Sequence, residues 1–592
     1  MAAWKQLVAN TGRLIKTVWH DKRWLIIMLA FFVLLLSGSS FFISGSRGLV
    51  INKLADLDLA AGLWFWVAVM VAATLLVGLI QIVNEYLGRQ LWFYIEAKFE
   101  LDLIRKRSQI DVATYENPKL NDLFNKVNEN GVWRVRSFID RQFFILQNIL
   151  EVVIAGVILA VVNWWILLIT AITVVPTLIT EIKYGHLVWG IHSARAETRR
   201  RYWDTRGYFN RLSDLMELKL FQNLGHFRQI IKNLFMAFQD DERRGDRKRL
   251  WHQLGSLFVS NLGLAAATIW FVWQVVEGNL LIGTFTFLMA SIGDLRQSLS
   301  GLFRNLGRQY QDSLFVTDLF RLLDLKPDLP QPRAGFKLDA ANTPEIVFDQ
   351  VSFSYPDSSE LVLKNFSLRI PPGEKLALIG INGVGKTTLV KLLCRFYDPT
   401  AGRILIAGHD LREIDLDSWY QMLGILFQDY SRYNFTVSDA ITVGRTSESP
   451  SLIRAKSAAV ASEADTFIEK WEHGYEQMLG KWFTSGLEPS TGQWQKLALA
   501  RTFYRDPRVL VLDEPTSSID AEAEAKIFAK LESLPPDRTV ILISHRFSTV
   551  RQANRIAVLE NGALTELGSH NALIKLKGTY AKLFNLQARG YQ

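Results

Sequence analysis

Cysteine is almost missing from this 592-residue chain: Cys394 is the one thiol, so no disulfide framework can form, and it is expected simply to pack inside a helix. No cluster of cysteine and histidine with ligand spacing occurs, which excludes a zinc site of the usual kind. A cleavable signal peptide is not expected either, and the first apolar run reads as a retained membrane span. The apolar run Trp24–Gly45 follows the basic residues Arg13, Lys16, Lys22 and Arg23, but it is too long for a signal core and no small-residue cleavage site follows. Residues 1–23 suffice only for a short interfacial helix, with no peptidase-like extension, so leader-peptide processing is not expected. Charge is unevenly scarce: Trp24–Gly45, Leu59–Asn84 and Trp251–Val276 carry none, and each is long enough to cross a bilayer core.

What is present is apolar. Hydrophobic residues make up 49% and mean hydropathy is +0.10, high for a soluble protein, with the excess in the first half. Val152–Thr180 is uncharged but interrupted at Val162-Asn163-Trp164-Trp165, and it yields two spans only if the first starts near Gln142 and carries Glu151. Gly278–Gly293 makes a further span only by running past Asp294 and Arg296. A basic N-terminus and a C-terminal half of ordinary soluble composition on the same side require an even number of spans, and six fit, near 24–45, 59–88, 138–162, 165–185, 251–276 and 280–305. The long loops 85–141 and 181–250 then face the cytoplasm. The second is strongly basic, and the net charge of +9 is accounted for by positive loops beside anionic lipid, with no nucleic-acid partner. Each loop holds a break where a short crossing helix fits: Tyr115-Glu116-Asn117-Pro118 followed by Lys119–Val127, and the stretch Tyr202–Leu212.

The second half has a different texture. Leu325-Lys326-Pro327-Asp328-Leu329-Pro330 opens a proline-rich linker, and alternating apolar patterns begin beyond residue 343. The division is therefore an all-α membrane domain of six helices at 1–324, a linker at 325–342, and an α/β nucleotide-binding domain with a phosphate loop at 343–592. That loop is Gly380-Ile381-Asn382-Gly383-Val384-Gly385-Lys386-Thr387, between the apolar strand Lys375–Ile379 and a helix opening at Thr388. Glycines let the backbone wrap phosphate oxygens, and amides at the helix start point at the anion. Lys386 adds charge for the β- and γ-phosphates, and the Thr387 hydroxyl can reach Mg²⁺. Val509–Leu512 is a buried strand ending in Asp513 and Glu514; Asp513 can hold Mg²⁺ through water, and Glu514 can orient or deprotonate the attacking water. A second apolar strand, Thr539–Ile543, delivers His545 toward the γ-phosphate. Gln428 can bridge Mg²⁺ and water, and Tyr355 can stack on adenine.

The order Tyr355, Gly380–Thr387 with Thr388, Gln428, Ser490-Thr491-Gly492-Gln493, Asp513-Glu514, Ser518-Ile519-Asp520 and His545 resembles the ATP-binding-cassette (ABC) transporters. Six spans with two long cytoplasmic loops resemble the exporter branch, in which membrane and ATPase domains share one chain. The resemblance implies an ATP hydrolase coupled to export across a prokaryotic plasma membrane. It implies a dimer with a second copy of the chain or a related one, and two ATPs sandwiched between one chain's Gly380–Thr387 and the other's Ser490–Gln493, with Asp520 beside them. Crossing helices near Asn117 and Gly207 would carry the motion to a cavity alternating between the two sides. The implied substrates are amphiphiles, drugs, lipids or peptides.

The resembling signature departs at one place. The family's Leu-Ser-Gly-Gly-Gln is here Pro489-Ser490-Thr491-Gly492-Gln493, so a β-branched side chain replaces a hydrogen near phosphate. Ser490 and Gln493 still make an S-x-x-Q capping box, and a working signature is expected. An exporter is favoured over a cassette used as a nucleotide-dependent regulator or gate, because Glu514 and His545 suit turnover. Glu151, Asp294 and Arg296 are the charges placed in the membrane, and Glu151 with Asp294 is expected to line an inward-open cavity favouring cationic or zwitterionic amphiphiles.

Overall fold

The structure is a computed structural model that describes residues 2–56, 61–194, 196–329, 332, 334–356, 358–516 and 518–589. The expected span beginning at Leu59 and the linker's Pro330, Gln331 and Arg333 lie partly or wholly outside them. The chain divides into two compact units: residues 1–109 with 121–325, and residues 110–120 with 326–592.

The first unit is helical: α1 (Ala2–Ala55), α2 (Ala61–Ser108), α4 (Pro118–Asn130, begun in the other unit), α5 (Trp133–Ala194), α6 (Ala196–Gly207), α7 (Leu212–Leu220), α8 (Leu224–Val276) and α9 (Ile282–Asp324). Lys22 leaves helical geometry and separates the basic N-terminal segment of α1 from its apolar remainder. α5 runs through Glu151 and breaks at Asn163, whose side-chain oxygen accepts from the Trp165 amide and restarts the helix. α9 continues unbroken past Asp294 and Arg296. Among the described residues, four stretches, Lys5–Ala55, Gly62–Ser108, Trp133–Pro176 and Arg243–Val276, are long and apolar enough to cross a membrane, and most of each apolar window is not buried within the chain. Trp64, Phe65, Leu75, Leu79 and Ile82 of α2 are exposed, as an apolar surrounding would require.

Where these helices meet, the contacts are close. α9 has no side-chain cap of its own at Leu281; instead Asn52 on α1 accepts from the Gly283 amide at 2.6 Å, supplying the partner that the helix end lacks. A Cβ on Gly283 would stand 1.8 Å from the Gly48 carbonyl oxygen, so only glycine admits this approach. Further along the same helices, Asn10 donates to Ser313 and Thr317, and Arg13 makes two hydrogen bonds to Asp324.

The second unit carries two sheets. β1 (Ile346–Phe353), β2 (Leu363–Ile370), β4 (Ala401–Ile406) and β5 (His409–Asp410) form an antiparallel sheet in the order β2-β1-β4-β5. β3 (Lys375–Gly380), β6 (Leu423–Leu426), β7 (Val509–Asp513), β8 (Thr539–Ile543), β9 (Arg555–Glu560) and β10 (Ala563–Gly568) form the other, β10-β9-β3-β8-β7-β6. β3, β7 and β8 are almost wholly buried, which is why they read as unbroken apolar runs rather than alternating ones. Cys394 ends α10 (Lys386–Leu393) in this core, and burial pushes its thiol up to about 12, so it packs as an apolar residue.

Two details of the loops differ from expectation. The crossing helix expected at Lys119–Val127 is present as α4, but the helix grouped with the nucleotide-binding unit is the preceding turn, α3 (Val112–Glu116). Ala113 packs on that unit's core, and Asp111 accepts from the Leu329 amide at 2.9 Å. In the second loop, helix α6 persists to Gly207, and the break is confined to 208–211. Gly283→Ala should force α1 and α9 apart and cost roughly 1–3 kcal/mol. A lower thermal midpoint of the purified chain in detergent, by several degrees, is the expected reading, and an unchanged midpoint would contradict it.

Candidate functional site

The nucleotide-binding unit builds its site from strand register. Leu378 on β3 stands opposite Ile543 on β8, which stands opposite Asp513 on β7. Three parallel strands therefore end at one edge: β3 runs on into Gly380–Thr387, β8 into Ser544 and His545, and β7 into Glu514. This is the carboxyl edge, where open parallel sheets bind ligands.

The loop after β3 closes with Gly385 at φ +107°, a left-handed conformation that a side chain would strain, and α10 starts from it. Lys386 is buried and donates to the carbonyls of Gly380 at 2.7 Å and Ile381 at 3.0 Å. Burial pushes its ammonium down from the ordinary lysine range, and the Glu514 and Asp513 charges oppose that shift. Thr387 donates to an Asp513 carboxylate oxygen at 3.1 Å. Burial raises the Asp513 carboxyl, countered by the Thr387 bond.

Glu514 is held from several sides. Its backbone is left-handed (φ +50°), a conformation costing about 1–2 kcal/mol for a residue with a side chain. Its amide donates to the Ile543 carbonyl at 2.9 Å, fixing the turn. Gln428 donates to one carboxylate oxygen at 3.3 Å, and His545 Nε2 stands 3.3 Å from the other. Burial, with Lys386 nearby, lowers the His545 imidazole below its ordinary value. These residues share a cavity of about 530 Å³ with Tyr355, Asn382, Gly383, Gly385 and Thr388. Tyr355 shares a hydroxyl hydrogen bond with Thr388 at 3.0 Å, packs edge-on against Phe353 and Tyr397, and lies under the Lys391 ammonium. Lys391 and Tyr397 both bond Glu116 of α3.

Gly380 and Val384 shape the loop without lining the cavity; Val384 is buried in the core, and a Cβ on Gly380 would lie 2.6 Å from the Leu559 carbonyl oxygen. Ser490, Thr491, Gly492 and Gln493 do not line this cavity. Ser490 caps the helix Thr491–Tyr504, with both bonds of the capping box present. Thr491 is exposed at its first turn and accepts from Tyr430 through its carbonyl, while a Cβ on Gly492 would meet the Ser518 carbonyl at 2.6 Å. Asp520 also stands off the cavity, capping the helix Ala521–Glu532 through the Ala523 amide. Gln495 escaped sequence reading: it donates to the Glu514 carbonyl and accepts from the Ser518 amide, joining the signature helix to the end of β7. No motif singles it out, because its role exists only once that helix end lies beside β7.

In the helical unit, Glu151 accepts from Ser298 at 2.6 Å and from Gln147 at 2.8 Å. Arg296 faces elsewhere, donating to Ser260 at 3.1 Å and Asn261 at 3.2 Å and lining a cavity of about 560 Å³ that neither Glu151 nor Asp294 lines.

A phosphate loop, paired strand-end carboxylates and a histidine on one sheet edge define a P-loop ATPase. Residues 363–517 match the family model described as ABC transporter. It is 27% identical over 85% of its length to the subtilin transport ATP-binding protein SpaT of Bacillus subtilis, covering 82% of that protein. It is 37% identical to the ATP-dependent lipid A-core flippase of Pectobacterium atrosepticum and 36% to that of Escherichia coli, each over 56% of this chain. In both cases it spans about half the relative's length, 55%. A solved bacterial Atm1-family ABC exporter with ATP bound shares the fold, with a TM-score of 0.81 at 24% identity over 96% of this chain and 99% of that one.

Glu514→Gln should hold ATP affinity within a few-fold and cut turnover at least about 10²-fold, because the water-orienting carboxylate is lost while the phosphate loop stays. Nucleotide binding and phosphate release measured on one preparation decide this; turnover within a few-fold of the parent contradicts it. His545 should titrate below the ordinary value of about 6.5 in the nucleotide-free protein, read by NMR. Folding depresses this pKa, so the neutral ring's contribution to stability is complete above the unfolded value and is lost as pH falls through the folded one.

Proposed function

We propose that two copies of this chain form an ATP-driven exporter of amphiphiles in a bacterial inner membrane, with the nucleotide-binding domains in the cytoplasm. The carrying observation is the gathering of Lys386, Thr387, Gln428, Asp513, Glu514 and His545 around one cavity, on a chain whose other unit is built of long helices with exposed apolar faces. Six spans, with α5 counted twice about Asn163, put both ends of the helical unit on one side. A gate that only sensed ATP would have no need for a carboxylate held from both sides at a strained backbone position.

Thr387 and Asp513 suit Mg²⁺: a hydroxyl and a carboxylate in contact are the hard oxygen donors it takes alongside substrate phosphates. When bound, the ion would neutralise charge on those phosphates. Lys386 draws the γ-phosphate into the loop, Glu514 orients water with Gln428 beside it, and His545 donates toward the transferred group. Because Ser490–Gln493 stands off the cavity in its own chain, its capped helix start is free to meet the partner's nucleotide, and Gly492 lets the backbone approach. Glu116, tied to Lys391 and Tyr397 beside Tyr355, gives adenine binding a route to the loop that carries α3. The flippases and the subtilin transporter are named for a lipid and a peptide, and this chain is read as handling a substrate of that amphiphilic kind.

Mixed dimers test assembly in trans. One site of a Lys386→Ala/Ser490→Ala pair is doubly broken and the other is intact, so ATP-induced closure should return at one of the two sites of each mixed dimer, about a quarter of all sites in an equimolar, fully exchanged mixture. Mixtures that behave like either mutant alone would overturn it. Transport itself is tested by ATP-dependent movement of a fluorescent amphiphile in proteoliposomes, and none across lipid and peptide probes would overturn the exporter.

A further inference from the structure

The cavity on Arg296 has a composition that the catalytic cavity does not share. It lies within the helical unit, walled by α8 and α9 with Thr180 of α5, and none of its lining residues is acidic. Arg296 and Arg304 both line it, eight residues apart on α9, with Gln297 and Ser300 between them and Gln253 and Ser260 opposite. Arg296 is aimed rather than loose, since Ser260 and Asn261 of α8 accept from its guanidinium without neutralising it. Asp294 is two positions away on the same helix and so points to another face. Glu151 is engaged by Ser298 and Gln147. Among the described residues, neither arginine has a carboxylate partner.

Depth makes this arrangement costly unless something answers it. From the start of α9 at Ile282, Arg296 lies about 21 Å along the helix and Arg304 about 33 Å, at 1.5 Å per residue. A hydrocarbon core of about 30 Å puts the pair at its inner boundary, the level of cytoplasmic-leaflet headgroups. Arg296, inside that core, is expensive unless it faces a cavity or a counter-charge, while Arg304 lies just past the boundary. On the same wall, Leu250, Leu254 and Leu257 of α8 follow i, i+4, i+7 spacing, line the cavity and are each about half exposed, at 52%, 46% and 55%. Two cations beside a leucine stripe suit a molecule with an anionic head and an apolar tail.

We propose that this pocket binds the anionic headgroup, phosphate or carboxylate, of an amphiphile, with Arg296 and Arg304 on the head and the α8 leucines along the tail. A guanidinium fork matches either oxyanion with paired hydrogen bonds. This reverses the preference for cationic amphiphiles expected from Glu151 and Asp294. The head could belong to a phospholipid of the inner leaflet or to an amphiphilic ester arriving from the cytosol. Binding itself is independent of the exporter reading; only the onward movement of the bound molecule rests on it.

The test uses the full-length dimer in phosphatidylcholine nanodiscs without nucleotide, titrated with octyl phosphate and with uncharged octyl glucoside. Arg296→Gln and Arg304→Gln should each weaken octyl phosphate about tenfold, and octyl glucoside less than twofold. Arg296→Lys should recover part of the loss, and thermal midpoints identify any variant that fails to fold. Phosphatidylglycerol in the disc should compete with octyl phosphate if the natural head is a phospholipid's. Competition by an added cytosolic phosphate ester, with phosphatidylglycerol inert, assigns the pocket to a solute. Equal binding of octyl phosphate by parent and both glutamine variants, or equal losses for the two probes, overturns the pocket. Intact, arginine-dependent binding without ATP-driven movement would overturn the exporter reading alone.

Discussion

Asp513 stands opposite Ile543, Ile543 stands opposite Leu378, and the nucleotide site hangs from that row of three residues. One step past it on β7 is Glu514, two steps past it on β8 is His545, and two steps past it on β3 is Gly380, where the loop begins. Slipping one strand by a single residue would turn its side chains to the other face and scatter the set. The near-complete burial of these strands enforces the register, since polar ends cannot be drawn into an apolar layer without losing hydrogen bonds. The strained turn at Glu514 is held the same way, by an amide bonded to β8 and a carbonyl bonded to Gln495.

The helical unit obeys a different constraint. Its long helices leave apolar faces uncovered, so hydrophobic burial between helices does not by itself order them, and close backbone approach and polar contacts do. Gly48 against Gly283, Asn52 at the start of α9, and Asn10 with Ser313 are of that kind. The membrane charges are arranged by the same logic. Glu151 has hydroxyl and amide donors, whereas Arg296 is steered into a cavity, and their separation makes two environments from residues whose positions along the chain look equivalent.

Much of this was legible in the sequence, wherever a single element carried the information. The loop Gly380–Thr387, the strand-end carboxylates, the capping box at Ser490 and the break at Asn163 are local patterns, governed by backbone geometry over a few residues. The kink at Lys22 and the passage of α9 through Asp294 and Arg296 agree with where apolar runs start and stop. What stayed illegible depended on contacts between distant segments: Gln495 beside Glu514, α3 rather than α4 grouped with the nucleotide-binding unit, and Asp520 serving as a helix cap away from the cavity.

The class of chemistry and the two-part organisation thus follow from the chain alone, because phosphate binding and membrane crossing are each written in runs of consecutive residues whose composition leaves no other stable arrangement. Which groups share a cavity was settled only by packing. Glu151, Asp294 and Arg296 are one set of buried-looking charges when read along the chain. The rotation of α9 turns Arg296 toward Ser260 of α8 and Ser298 toward Glu151 of α5, and rotation about a helix axis is fixed by neighbouring helices rather than by the helix's own residues.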